Sequence, residues 1–383
     1  MAASEGARRD PICGMRGIIE SRGYWFCSQR CVDEFIRRQK EAACGTHATP
    51  KSIFLDPWVW VPLSGFLLTA LGSWWHKAQP VSALYLSYIR VVAWPVILGL
   101  LIGGLVDHFI PKEYIIKLLA GSKKRVILRS ALLGFLASTC SHGCLALSLE
   151  LYRKGASVPA VVSFLLASPW ASMPLTFMLF SFFGLRGGLI VIGALWIAIL
   201  TGLVFQRLHT ARLIEVNPNT SILPDRFSIR RDLSQRWAAH AWTLGQLKQD
   251  LQGIVRGMVP LGRMMLGWVQ IGLIISAVSG GLIPHTVFGK FLGPSSSGLL
   301  CTMLLATVIE VCSEGTAPFA FELYRQTGAF GNAFAFLMGG VVTDYTELGA
   351  LWMTIGRKTV LWLVVITLPI VYVTGFLMNQ IVR

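Results

Sequence analysis

"TCSHGCLALSLELY" (residues 139–152) and "VCSEGTAPFAFELY" (residues 311–324) are two versions of one phrase. Each sets Cys-Ser-X-Gly, and then Glu-Leu-Tyr-Arg, inside a long apolar run, where ionisable side chains are costly and usually functional. A shift of 172 residues lays Cys140 on Cys312, Ser141 on Ser313, Gly143 on Gly315 and the Glu150–Arg153 tetrapeptide on Glu322–Arg325. The same shift sets Phe164 and Leu165 on Phe336 and Leu337, and Gly121 on Gly293. So many matches in order mark an internal repeat. The chain therefore reads as two related halves, 82–206 and 257–380, behind one leading apolar run near 53–73.

Composition says where such halves reside. Of 383 residues, 54% are hydrophobic and 14% charged, with a mean hydropathy of +0.60. Soluble chains carry about 25% charged residues, so the expectation is an all-α polytopic membrane protein. Windows such as "GGLIVIGALWIAILTGLVF" (187–205) and "VLWLVVITLPIVYVTGFLM" (360–378) approach the ~20 residues needed to span a bilayer. The first 50 residues are polar and lack the apolar core of a secretory signal. The net charge of +15 belongs to loops between apolar runs, as the positive-inside rule requires, and does not call for nucleic acid. Membrane lipid is the expected environment, and no oligomeric state is legible.

Charge also sorts the topology. Nine apolar runs are expected: 53–73, 82–109, 126–151, 158–182, 187–206, 257–283, 298–323, 329–353 and 358–380. If each crossed the membrane, the halves would be parallel, and the polar loop 207–256, with eight Lys/Arg against four Asp/Glu, would fall outside. If 126–152 and 298–324 are instead re-entrant or broken at Cys-Ser-X-Gly, each half crosses three times and the second copy is inverted. Loop 111–129, loop 207–256 and the Arg357–Lys358 turn then all face the cytoplasm. The loop 284–297, with only His285 and Lys290, faces out. The expectation is thus two inverted repeats in the inner membrane with a cytoplasmic N-terminus. The domain bounds are 1–50 for a head, 53–206, a loop 207–256, and 257–383.

Inversion explains the opening phrase. Non-helical backbone at membrane depth is tolerated only where it is buried in protein or lines a cavity, and inverted-repeat transporters bind substrate at such breaks. Cys140, Ser141, His142 and Cys144 from one tip, and Cys312, Ser313 and Glu314 from the other, are the expected substrate contacts. Thiols suit soft ions and trivalent metalloids. Glu310, Asp344 and Glu347 are the candidate coupling carboxylates. Asp344 follows the Gly-rich "GGVVT", where the backbone can open. Glu150–Arg153 and Glu322–Arg325 read as structural ion pairs at a spacing of three.

The head carries its own signal. Residues 10–39, "DPICGMRGIIESRGYWFCSQRCVDEFIRRQ", place Cys13, Cys27 and Cys31 in a pattern that resembles the YHS/TRASH-like heavy-metal-binding domains. The resemblance implies these three as ligands. The fourth is not fixed, since "ACGTH" offers both Cys44 and His47, and thiolates select soft or borderline metals such as Zn(II) or Cu(I). Transport itself requires no cofactor.

The paired Cys-Ser-X-Gly elements, each followed by a helix, a Gly-containing turn and a Phe-Leu-rich helix, look like those of the predicted permeases that include the ArsP-like organoarsenical efflux proteins. The resemblance covers most of 85–380 and carries substrate contact onto Cys140 and Cys312. It implies a secondary-active permease, not an enzyme, that exports soft metal ions, trivalent metalloids or organoarsenicals. The first tip departs from the family's frequent Cys-Ser-Cys with a following proline: Pro318 has Ala146 as its counterpart. Neither a Walker A motif nor the phosphorylated Asp-Lys-Thr-Gly of P-type pumps occurs in the chain. Competing readings are an importer of a sulfur-containing anion, a membrane thiol oxidoreductase using Cys140 and Cys144, and a metal sensor.

Overall fold

The computed structural model describes residues 19–21, 24–26, 56–109, 124–137, 141–153, 155–218, 244–309 and 312–382. Two compact units divide it, Met1–Trp60 and Val61–Arg383. In the first, β1 (Ile19–Ser21) pairs antiparallel with β2 (Tyr24–Phe26), with Ile19 opposite Phe26. An all-α expectation had no place for this ribbon. Its Tyr-Trp-Phe strand has the aromatic composition that favours a pleated surface.

Fourteen α-helices make up the rest of the described residues. They are α1 (Pro57–Trp74), α2 (Gln79–Phe109), α3 (Lys124–Ala137), α4 (Ser141–Arg153), α5 (Val158–Ala167), α6 (Met173–Phe183) and α7 (Gly187–Thr210). Then follow α8 (Leu244–Leu282), α9 (His285–Leu292), α10 (Ser296–Ile309), α11 (Ser313–Thr327), α12 (Phe330–Thr343), α13 (Tyr345–Thr354) and α14 (Arg357–Ile381).

The element boundaries keep the offset of the sequence repeat. Helices α3, α4, α5 and α6 begin at 124, 141, 158 and 173, and α10, α11, α12 and α13 begin at 296, 313, 330 and 345, each 172 residues later. Packing recurs too: α3 packs on α5 and α5 on α7, as α10 packs on α12 and α12 on α14. A Cβ added to Gly202 of α7 would lie 2.7 Å from Ile127 and 2.8 Å from Ser163. One added to Gly375 of α14 would lie 3.3 Å from Leu299 and 3.1 Å from Ala335. Ile127 and Leu299, and Ser163 and Ala335, are repeat equivalents. The same small-residue approach, which membrane helices use to bring backbones together, is built twice.

Several apolar runs are more broken than expected. The run 158–182 is two helices, parted by a 3₁₀ turn at Ser168–Ala171 and by Ser172, whose φ of −57° and ψ of 123° leave the helical region. Pro169 and Pro174 fall in the first turns of the 3₁₀ piece and of α6, where a missing N–H forfeits no helical bond. The run 329–353 breaks at Asp344, where the Gly-rich approach had pointed. Between α6 and α7 the chain doubles back at Gly184 (φ 59°): a Cβ at Gly187 would sit 2.6 Å from the carbonyl oxygen of Leu179. Glycine is the residue that takes such a φ without penalty.

Among the described residues, four stretches are long and apolar enough to cross a membrane, Gln79–Ile102, Met173–Thr210, Met265–Leu282 and Arg357–Ile381, the second of them folded back at Gly184. These are fewer unbroken spans than the seven crossings that three per half and a leading helix require, because breaks shorten the pieces. Segment 284–297, read as a loop, contains α9, which meets α10 at 101°. Its polar His285 and Lys290 are exposed while Phe288 is buried, the division of an interfacial helix. The polar segment 207–256 is also partly helical, since α8 starts at Leu244 and runs for 39 residues.

Polar ties join the two halves at several levels. Tyr85 of α2 donates to Gln270 of α8 at 3.0 Å, and Gln270 donates to Ser64 of α1 at 2.9 Å. Glu322 of α11 is wholly buried, takes two bonds from Arg325 at 2.8 and 2.7 Å and one from Gln326 at 2.6 Å, and is bonded by Tyr88 of α2. The ion pair read from the spacing of Glu322 and Arg325 is present. Around it Phe182 stacks on Phe321 at 4.8 Å, with Phe183 edge-on to Phe321 at 5.6 Å. Arg186 completes this seam by donating to the Tyr324 hydroxyl.

Candidate functional site

The site grows from the second Cys-Ser-X-Gly phrase. Cys312 is the N-cap of α11, in extended backbone (φ −170°, ψ 132°), and is buried. Helix α10 ends at Ile309, so the cysteine stands where one apolar helix has stopped and the next begins. The carbonyl of Cys312 accepts from Thr316, through both its backbone N–H at 3.0 Å and its hydroxyl at 3.1 Å, which fixes the first turn. A Cβ at Gly315 would come 2.7 Å from the Trp268 carbonyl oxygen, so glycine lets α11 lie directly on α8.

Glu314 follows in the first turn of α11, where the helix dipole favours negative charge. It is only 1% exposed. The Cys312 thiol donates to its Oε2 at 2.9 Å, and the Ser172 hydroxyl donates to its Oε1 at 3.0 Å. Ser172 comes from the other half, at the break before α6, and its oxygen also caps that helix by accepting from the Leu175 N–H at 3.4 Å. A thiol, a carboxylate and a hydroxyl thus meet in the interior, drawn from two broken helices of different halves. Next to them the Ser313 hydroxyl is buried without a hydrogen-bond partner.

Around Cys312 lies a cavity of about 20 Å³, lined by Trp268, Ile271, Gly272 and Ile275 of α8, Ile309 of α10, and Gly315, Thr316 and Phe319 of α11. That is room for about one water. The site stands closed. A larger groove of about 440 Å³ lies between α1, α2 and α8, lined almost wholly by apolar side chains, and shares no lining residue with the Cys312 cavity. The smaller cavity is the one that Cys312 lines.

The other expected residues divide. Cys312, Ser313 and Glu314 are brought together. Cys140 and Glu310 lie outside the described residues, as do Cys13, Cys27, Cys31, Cys44 and His47 of the head. Ser141 and His142 open α4 on the described backbone, and Cys144, one turn on, is buried. Cys301, which has no repeat partner, is exposed on α10. Asp344 caps α13: its Oδ1 accepts from the Thr346 N–H at 2.8 Å, the Thr346 hydroxyl at 2.6 Å and the Glu347 N–H at 3.3 Å. Glu347 is buried in the first turn of α13, beside that cap.

Among the described residues no three His, Cys, Asp or Glu side chains cluster as a metal site. Cys312 and Glu314 supply two donors, which is half of a tetrahedral shell. Sequence reading missed Ser172. The signal was present, since the 172-residue shift that singles out Asp344 maps it onto Ser172.

Outside the membrane-spanning helices, the tail after α7 fastens two helix ends. Glu215 accepts from the Lys358 N–H at 2.9 Å, the Thr359 N–H at 2.8 Å and the Thr359 hydroxyl at 2.7 Å, capping α14. Burial alone would raise its carboxyl, but the bonds from Thr359 and Lys358 outweigh burial and hold it below the ordinary value. Asn217 donates to the carbonyls of Tyr152 and Ala156, both at 2.7 Å, closing the end of α4.

Comparison with known proteins adds a family. Residues 79–380 match the predicted-permease family ArsP_1. The UPF0718 protein YcgR of Bacillus subtilis is 24% identical over 307 residues, covering 78% of this chain and 96% of its own. A candidate permease of Mycobacterium tuberculosis, Rv2963, is 25% identical over 60% of each chain. A subunit of a candidate two-component membrane permease complex from Streptococcus mutans is 23% identical over 70% of this chain and 84% of its own. No solved structure matches.

Proposed function

The chain belongs to the predicted-permease family, and on that premise we propose that it is a secondary-active exporter of soft metal ions or trivalent metalloids, organoarsenicals included. The observation that carries this reading is Cys312, a buried thiol at a helix break, bonded to a buried carboxylate that the other half of the chain holds in place. A thiol must lose its proton to bind a soft ion, and Glu314 beside Cys312 offers that proton an acceptor.

The two halves are inverted in the inner membrane, the N-terminus is cytoplasmic, and Cys140 completes the site from the first tip together with Ser141, His142 and Cys144. The recurrence of helix starts at one offset supports two like halves, and the basic residues of the loops support inversion. Cargo needs more donors than Cys312 and Glu314 offer, and a second tip supplies them. The head, through Cys13, Cys27, Cys31 and Cys44, delivers cargo from the cytoplasm.

A resistance panel tests the proposal. Cells expressing wild type, Cys140→Ser, Cys312→Ser or a chain lacking residues 1–50 are challenged with arsenite, methylarsenite, Cu, Zn, Cd and Hg. Loss of either cysteine abolishes resistance to the cargo, and loss of the head only weakens it. Protection equal to wild type from both cysteine variants would refute a thiol site.

A further inference from the structure

The geometry points to Ser172 as a positioning residue of the transport site, contributed by the first half to the carboxylate of the second. The inference rests on the thiol-site reading above and adds a member to it.

Ser172 is 1% exposed and stands between the 3₁₀ turn Ser168–Ala171 and α6. Its hydroxyl donates to Glu314 Oε1, and the Cys312 thiol donates to Glu314 Oε2. One carboxylate therefore spans two donors from two halves, and Ser172 sets the rotation of that carboxylate. The rotation in turn sets where the Cys312 sulfur points. No ionisable side chain occurs in α6 or α12, which pack on α11, and the α8 residues around the cavity are Trp268, Ile271, Gly272 and Ile275. His285 and Lys290 of α9, which also packs on α11, are exposed. Among the described side chains, Ser172 is the first-half donor to Glu314.

The neighbouring Ser313 hydroxyl is an independent sign of a ligand. It is 1% exposed and has no partner. A buried hydroxyl left unpaired is a standing cost, and an oxygen or cation entering the site relieves it.

The repeat gives Ser172 a counterpart. Asp344 lies 172 positions on and caps α13 as Ser172 caps α6. Helix α13 packs on α4, as α6 packs on α11. In each half, the helix that resumes after the second break rests on the Cys-Ser-X-Gly helix of the other half. Glu314 and Asp344 thus bring a carboxylate to one break of each kind, a composition suited to a cation and unsuited to an anion.

Cadmium uptake by inverted membrane vesicles carrying the full chain tests the assignment. Ser172→Ala is expected to raise the KM for Cd²⁺ about tenfold, the effect of losing one hydrogen bond to a charged group, with the maximal rate within about twofold. Ser172→Thr, which keeps the hydroxyl, is expected to return KM to near wild type. Ser172→Gly removes the hydroxyl at a position where glycine is a tolerated cap, and is expected to raise KM as alanine does, so a folding defect specific to alanine cannot mask the result. An unchanged KM in Ser172→Ala and Ser172→Gly, or a fall in rate and melting temperature with no KM change, would show a cap and nothing more. Cys312→Ser separates the two levels. Loss of uptake in Cys312→Ser with an unchanged KM in the Ser172 variants overturns only the role of Ser172. Wild-type uptake by Cys312→Ser, or no Cd²⁺ uptake by the wild-type chain, overturns the thiol-site reading beneath it.

Discussion

Ser172 and Asp344 are repeat equivalents, and each caps the helix that resumes after a break. Ser172 accepts from the Leu175 N–H at 3.4 Å, and Asp344 from the N–H groups of Thr346 and Glu347 at 2.8 and 3.3 Å. A helix broken inside an apolar bundle exposes backbone donors that no water is at hand to satisfy. Losing the Asp344 cap should cost about 1 kcal/mol in Asp344→Ala, within the usual range for an N-cap. Thermal unfolding in detergent measures it, and Asp344→Asn, which can still cap, should recover most of the loss.

Close approach of α12 and α14 depends on glycine. A Cβ at Gly331 would overlap the carbonyl oxygen of Gly375, whereas nothing lies within 4 Å of one at Gly289. Gly331→Ala should therefore destabilise the protein by about 1–3 kcal/mol, the cost of overpacking. Gly289→Ala, in exposed helix, should be neutral or stabilise by up to about 1 kcal/mol. Equal effects at the two positions would mean that α12 and α14 do not touch at Gly331.

Glu322 is wholly buried and Arg325 is 38% exposed. Arg325→Leu strands a buried carboxylate and should cost about 3 kcal/mol, the low end for breaking a buried pair because solvent reaches the arginine. Glu322→Leu with Arg325→Leu together should cost less than Arg325→Leu alone. A double variant less stable than both singles would show that the pair stabilises the seam beyond satisfying its own charges.

The Glu215 cap carries a pH dependence of defined sign. In the folded chain its carboxyl is held below the ordinary carboxylate value by the bonds from Thr359 and Lys358. Its contribution is thus complete above the unfolded value and is lost as pH falls through the folded one. Melting temperature measured from pH 7 down to about pH 3.5 should fall more steeply for wild type than for Glu215→Gln, with the difference opening below about 4.5. Parallel curves would mean that Glu215 does not bind the start of α14 through its charge.

The repeat was legible because polar residues in apolar runs are rare enough for a few matches to align two halves. Asp344 was legible as a break for the same reason, being a carboxylate behind two glycines. Ser172 was not, since a serine in "SPWASMP" looks like ordinary helix-break chemistry until Glu314 is found on the other side of it. Apolar pattern also overstated continuity. It could not show that 158–182 stops at Ser172 or that the chain turns back at Gly184, because leucine and phenylalanine line a broken helix as readily as a whole one. The helix α9 escaped because eight residues between Pro284 and the Gly293–Pro294 pair read as a loop until Phe288 is seen to be buried.

The most direct measurement is shared protection of the two tip thiols. In a chain retaining only Cys140 and Cys312, Hg²⁺ is titrated before alkylation, and modification is read by mass spectrometry. Two kinked helices that face one cargo predict that a single equivalent of Hg²⁺ shields both sulfurs together. Independent shielding that needs two equivalents, or full alkylation of either cysteine at saturating Hg²⁺, would mean that the halves do not build one site.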